Sequence, residues 1–170
     1  MSILTTTAVI AGTALVAAFA IGQITGPSIT TEIEIDAPAS AVWKDLADTD
    51  AYADWNPFVR RISGDLEAGK RQQVTVGADG NAPMDFTPEV VVADENKELR
   101  WVGRLGFKGV FDGEHYFILE ETDHGTTVFR HGENFTGLLG YPLIALIRED
   151  THNGFLAMNE ALKARAEANS

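Results

Sequence analysis

The sequence predicts an α+β domain: a curved, seven-stranded antiparallel sheet closed by one long C-terminal helix, with two short helices after the first strand. Three observations carry this. Apolar and polar residues alternate in short runs separated by polar turns. After Phe135 the apolar spacing changes to three and four residues, the period of a helix. Ahead of the patterned region lies an apolar stretch in which the first charged side chain is Glu32.

The first strand is Thr31-Glu32-Ile33-Glu34-Ile35, with Ile33 and Ile35 turned inward. Asp36 to Ser40 forms a turn, and Pro38 suits a helix start because the N–H it lacks is not needed there. Ala39–Ala47 is the first short helix, with Val42, Trp43 and Leu46 at helical spacing. Tyr52–Trp55 is the second, stopped before Pro57. Six strands follow: Val59–Ser63, Arg71–Gly77, Asp85–Ala93, Glu98–Leu105, Val110–Glu121 and Thr126–Phe135. Short turns such as Asp79-Gly80-Asn81 and Asp123-His124-Gly125 make them an antiparallel meander. Ile144, Ile147, Thr151, Phe155, Met158 and Leu162 then form one stripe of a helix running from about Tyr141 or Pro142 to Ala168. Arg148, His152, Asn159 and Glu160 fall away from that stripe.

Composition narrows the function. The 170 residues include 13 Lys and Arg against 25 Asp and Glu, a net charge of −12. Such a chain is poorly suited to hold nucleic acid through its phosphates, and no nucleic-acid partner is expected. The absence of cysteine removes disulfides, thiolate metal sites and a cysteine nucleophile. Phosphate-binding glycine loops, nucleophile elbows and His-Glu-x-x-His motifs are missing as well. No metal and no cofactor is expected.

Residues 1–27 read as an N-terminal hydrophobic segment and residues 28–170 as the folded domain. Ala8 to Ile24 is apolar over 17 residues; extended back to Ile3 it reaches 22. As a helix that is roughly 33 Å, enough to cross the hydrocarbon core of a bilayer. A single membrane anchor is the expectation. The alternative is a secretory signal cleaved after Ala18-Phe19-Ala20, giving a secreted or periplasmic domain. A peripheral helix is a third reading. No Lys or Arg flanks the segment to set its orientation. Gly26-Pro27 ends it.

Several stretches carry a family likeness: Ile33-Glu34-Ile35-Asp36-Ala37-Pro38-Ala39-Ser40-Ala41-Val42-Trp43, then Asp54-Trp55-Asn56-Pro57-Phe58. Later come Glu98-Leu99-Arg100-Trp101, Asp112-Gly113-Glu114-His115-Tyr116-Phe117 and Phe135-Thr136-Gly137-Leu138-Leu139. Together they resemble the START-like helix-grip superfamily, the SRPBCC or Bet v 1-like group of polyketide cyclase/dehydrase and lipid-transport proteins. The resemblance spans about Ser28 to Ala166. It implies a helix-grip fold with a deep cavity between sheet and last helix, which in relatives binds hydrophobic or amphipathic small molecules. Some relatives are cyclases or hydratases and others are carriers or receptors. No catalytic motif is common to the group, so none carries over.

The residues themselves suggest where a ligand would sit. In Phe111 to Leu119 the face Phe111, Gly113, His115, Phe117, Leu119 is the inward one, because the other carries Asp112 and Glu114. In Thr127 to Phe135 one face carries Phe129, His131, Glu133 and Phe135. A hairpin sets His115 opposite His131 or Glu133, depending on register. A carboxylate beside imidazoles in an apolar wall can orient the polar end of a ligand, act as a general base, or simply satisfy its own hydrogen bonds. The expected ligand-facing residues from the first half are Trp55, Phe58, Phe86 and Trp101. From the second half they are Phe111, His115, Phe117, Phe129, His131, Phe135 and Phe155. Gly103 and Gly106 leave room on the concave side, or mark bulges in a strongly bent strand. The leading expectation is binding of a lipid-like or polyketide-like molecule. The alternatives are a cyclase or hydratase using His115 or His131 with Glu133, and a membrane-tethered interaction domain without a ligand.

Overall fold

The computed structural model describes residues 26–77 and 82–170. The alternating first segment forms β1 (Ser28–Ile35), which begins three residues before the alternation becomes visible because Ser28 pairs with Asn134. Helix α1 (Ala39–Ala47) starts after an extended Pro38 and buries Val42 and Leu46. A 3-10 turn, Thr49–Ala51, leads into α2 (Tyr52–Trp55). Strands β2 (Val59–Ser63), β3 (Gln73–Val76) and β4 (Met84–Phe86) form a three-stranded antiparallel sheet. Strands β5 (Glu89–Asp94), β6 (Glu98–Leu105), β7 (Phe111–Glu121) and β8 (Thr127–Thr136) join β1 in a five-stranded sheet of order β1-β8-β7-β6-β5. Helix α3 (Gly140–Asn169) closes the domain.

The single strand expected over Asp85–Ala93 is divided at Thr87-Pro88, so eight strands stand where seven are predicted. Pro88 has no N–H to offer a ladder. Its carbonyl accepts the Gln72 N–H at 3.0 Å, and the Val90 N–H turns to the Lys70 carbonyl at 2.8 Å. One bridge, Arg71 to Glu89, links the two sheets at this corner. The strand predicted from Arg71 is shortened by the same corner.

Helix α3 packs across β1 and β8, and its C-terminal half meets α1. Arg165 Nε donates to the buried Asp45 carboxylate at 2.9 Å, which fixes that contact. Trp101, Phe117, Phe129, Phe155, Met158 and Leu162 are fully enclosed between sheet and helix. Burying each large side chain contributes about 1.5–3 kcal/mol. Among the described residues no helix is long and apolar enough to cross a membrane. The span expected at Ile3–Ile24 lies outside them.

Candidate functional site

The β7–β8 hairpin adopts one of the two predicted registers: His115 is the Cα partner of Glu133, and Phe117 of His131. The inward face of β7 carries Gly113, His115, Phe117 and Leu119, all buried. Across it runs a chain of polar side chains. Thr31 Oγ1 donates to the His131 carbonyl at 3.1 Å and accepts from Asn159 Nδ2 at 2.9 Å. That turns Asn159 Oδ1 toward His131 Nδ1 at 2.8 Å, so Nδ1 carries the ring proton. His131 Nε2 is then bare and accepts from His115 Nε2–H at 2.9 Å. His115 Nδ1 is bare in turn and faces Glu133 Oε2 at 3.6 Å.

The titration of these groups fits a neutral chain. Burial pushes His115 down to about 3. Burial and the neighbouring His115 hold His131 well below the usual imidazole range, despite its hydrogen bond to Asn159. Burial pushes the Glu133 carboxyl up to about 8. At pH 7 both rings are uncharged and Glu133 is a protonated acid. The Glu133–His115 approach, at 3.6 Å, is longer than a hydrogen bond. This is a polar relay, not a salt bridge.

Its two ends differ. His131 is sealed: Phe155 stacks on it with centroids 4.0 Å apart, and Phe117 lies at 4.7 Å. Glu133 keeps 21% of its side chain exposed. Its carboxyl lies over Gly113, where an added Cβ would stand 2.2 Å from Oε1. Gly113 is the Cα partner of Gly103, so two glycines face each other on the inner wall. The Phe86 ring covers the second one, 3.3 Å from where a Cβ on Gly103 would be.

The space between sheet and α3, expected as a deep cavity, is filled by the protein's own rings. Trp101 stacks on His115 at 5.0 Å, Phe117 meets Trp101 edge-on at 5.1 Å, and Phe58 meets Phe155 edge-on at 5.4 Å. Phe117, Phe129, His131 and Phe155 have no exposed surface, internal or external. Two recesses stand out among the described residues, and neither reaches the relay. One of about 410 Å³ is lined by Asp54, Trp55, Asn56, Pro57 and Arg60, and one of about 150 Å³ by Arg71, Glu89 and Arg104.

The structure thus divides the expected ligand-facing residues. Trp101, Phe117, Phe129, His131 and Phe155 are sealed, and Phe58, His115 and Phe135 are buried. Trp55, Phe86 and Phe111 are half-buried. Phe111 stacks on Phe135 at 5.5 Å beside Gly113, and Trp55 lies apart in the larger recess. His131 cannot serve as a substrate-touching base, because both ring nitrogens are hydrogen-bonded inside the core. Sequence reasoning missed Asn159 and Thr31. Asn159 is not turned away from the core; it is 1% exposed and orients His131. Its signal was its place four residues after Phe155 and three before Leu162.

The model of one protein family, described as polyketide cyclase / dehydrase and lipid transport, matches residues 26–167. Among solved structures, the chain is similar to TTHA0849 from Thermus thermophilus, with 19% identity and a TM-score of 0.65 over 85% of this chain and 99% of that one. It is also similar to the Zhui aromatase/cyclase from a Streptomyces species, with 16% identity and a TM-score of 0.63 over 84% and 94%. A norcoclaurine synthase from Thalictrum, in complex with a transition-state analogue, gives 16% identity and a TM-score of 0.64 over 86% and 98%. At these identities the neighbours establish the helix-grip fold. No curated protein matches. With its family model matched over nearly the whole folded domain, the chain belongs to the polyketide cyclase / dehydrase and lipid transport family.

Proposed function

We propose that the domain binds one hydrophobic or amphipathic small molecule at the open end of the grip. Glu133 is the polar anchor and Phe86 the plug that the guest displaces. The observation that carries this reading is the Glu133 carboxyl lying over Gly113, at the boundary between a sealed polar chain and solvent. A neutral acid there donates to a carbonyl, hydroxyl or ether oxygen, while the surrounding rings take the apolar body. Gly103 and Gly113 make a floor without side chains. Phe86 comes from a strand of only three residues, so moving it leaves the main sheet intact. The net charge of −12 disfavours a guest with an anionic polar end. The family description and the titles of the neighbours support the class of guest. In this reading Ile3–Ile24 is uncleaved and anchors the domain to a membrane, supported by the absence of charge before Glu32.

Titration with N-phenyl-1-naphthylamine, a neutral apolar fluorophore, tests the binding reading, with native mass spectrometry giving the stoichiometry. One saturable site per chain is expected. Gly103→Leu fills the floor and weakens binding by about tenfold or more, roughly 1.4 kcal/mol. Circular dichroism confirms that the variant is folded. Absence of saturable binding, or equal affinity in a folded Gly103→Leu chain, overturns the reading.

One observation favours a second reading, acid–base catalysis at the same place. The Glu133 carboxyl titrates near neutral pH at a solvent-reached edge, as a general acid does. In this reading Glu133 is the group that touches substrate, and the histidines position it. Turnover lost in Glu133→Gln, with probe affinity kept, separates catalysis from binding.

A further inference from the structure

We infer that the open end carries an apolar rim that docks on the surface of the bilayer holding the Ile3–Ile24 segment. The inference rests on the anchor reading and is independent of the small-molecule reading. The rim consists of Leu105 at the end of β6, Phe107 just after it, and Leu138, Tyr141, Leu146 and Ile147 around the start of α3. Phe107 is 76% exposed and Leu146 is 80% exposed, whereas Ile144 on the opposite face of the helix is buried. The outward stripe stops at Glu149 and Asp150, where the helix surface becomes charged.

Backbone hydrogen bonds hold the two parts of the rim together. The Leu138 N–H donates to the Gly109 carbonyl at 3.0 Å and the Leu139 N–H to the Val110 carbonyl at 2.9 Å. Gly137, at φ 101°, makes the tight approach to Val110 that this requires. The segment before β1 leaves the domain at the same end. The Phe135 N–H donates to the Pro27 carbonyl at 2.9 Å, and Pro27 Cδ is 3.7 Å from where a Cβ on Gly140 would be. Arg148 Nη1 donates to the Ser28 carbonyl at 3.0 Å, tying α3 to the first residue of β1.

The geometry follows from chain length. Ile24 and Pro27 are three residues apart, at most about 10 Å of extended chain. An anchor segment that ends at Ile24 therefore delivers the domain with this rim at the lipid surface. Arg104, Lys108 and Arg148 stand at the same end of a chain that is otherwise strongly acidic, although Arg104 lies 4.0 Å from Asp112 and Arg148 is held on the Ser28 carbonyl. The partner is a zwitterionic bilayer; the net charge of −12 opposes an anionic one.

The chain has no cysteine, so single cysteines report cleanly. The full chain carrying Leu146→Cys, or Lys97→Cys in the β5–β6 turn at the far end, is labelled with an environment-sensitive fluorophore and reconstituted into phosphatidylcholine vesicles. Leu138→Cys gives a second report on the rim. At 146 and 138 the expected results are a blue-shifted emission and quenching by nitroxide-bearing lipid, both absent at 97. A chain that does not float with the vesicles overturns the anchor reading together with this proposal. A floating chain whose labels at 146, 138 and 97 are equally open to iodide overturns the docking alone. A blue shift without nitroxide quenching means that protein covers the rim, and also overturns it.

Discussion

His131 and Glu133 stand two residues apart on one face of one strand, yet their surroundings are opposite. Around His131 every hydrogen-bonding position of the ring is used and every neighbouring surface is covered by Phe117, Phe155 or Asn159. Around Glu133 the sheet offers glycines where side chains would stand, and the carboxyl reaches solvent. The sealed end gives the domain its stability and locks the tautomers. The open end inherits that locked orientation and has side chains that can move. The proposed binding end and the packed end are thus separated along the strands rather than between layers.

The comparison can be broken most directly by truncation. Phe155→Ala at the sealed end should lower the unfolding free energy by about 3–5 kcal/mol, because the ring is enclosed on all sides. Phe86→Ala at the open end should cost less than about 1.5 kcal/mol, since its ring is only half-buried. Urea unfolding measures both, and equal losses would erase the distinction.

A smaller effect comes from pH. Glu133 binds its proton up to about 8 in the folded state, against an ordinary value of 4.5. Between those values the folded state holds more protons than the unfolded chain, so the group lowers stability as pH rises from 4.5 to 8. Glu133→Gln removes that slope. The stability of the wild type relative to the variant should therefore be level below pH 4.5, fall across the window and level off above 8. The fall has a ceiling of about 5 kcal/mol, reduced by the solvent reaching the side chain. His115, lowered to about 3, works the other way in both proteins, with stability lost as pH falls through the range between 6.5 and 3.

Asn159→Leu tests the lock. It removes the Asn159 Oδ1 acceptor of the His131 ring, leaving only the Phe155 backbone as a partner on that side, and should cost about 1–3 kcal/mol in urea unfolding. The smallest stability effect is expected for Gly113→Ala, within about 1 kcal/mol, because the added methyl clashes only with the far end of the Glu133 side chain and meets Phe135 at ordinary contact distance. Its consequence is electrostatic: the carboxyl is pushed toward water, and its titration, followed by carbon-13 NMR, returns toward the ordinary range.

The alternation in β7 and β8 was legible because one face of each strand is buried, and it narrowed the partner of His115 to His131 or Glu133; the register that pairs it with Glu133 was set by the fold. The corner at Pro88 was not, since the residues on both sides continue a strand pattern and only the missing N–H marks the break. Asn159 was misjudged because a sheet that wraps a helix buries an arc wider than one stripe. The filled space under α3 shows the deeper limit. Periodicity tells which rings face inward, but whether Phe155 lies against His131 or stands back from it depends on three-dimensional packing.

The most direct test of a neutral Glu133 as the anchor of a bound guest is the pH dependence of N-phenyl-1-naphthylamine affinity in the wild type and in Glu133→Gln. Affinity in the wild type should be constant near pH 6 and fall as pH passes about 8, while the variant stays flat. Equal wild-type affinity at pH 6 and pH 9, or the same fall in the variant, would contradict the account.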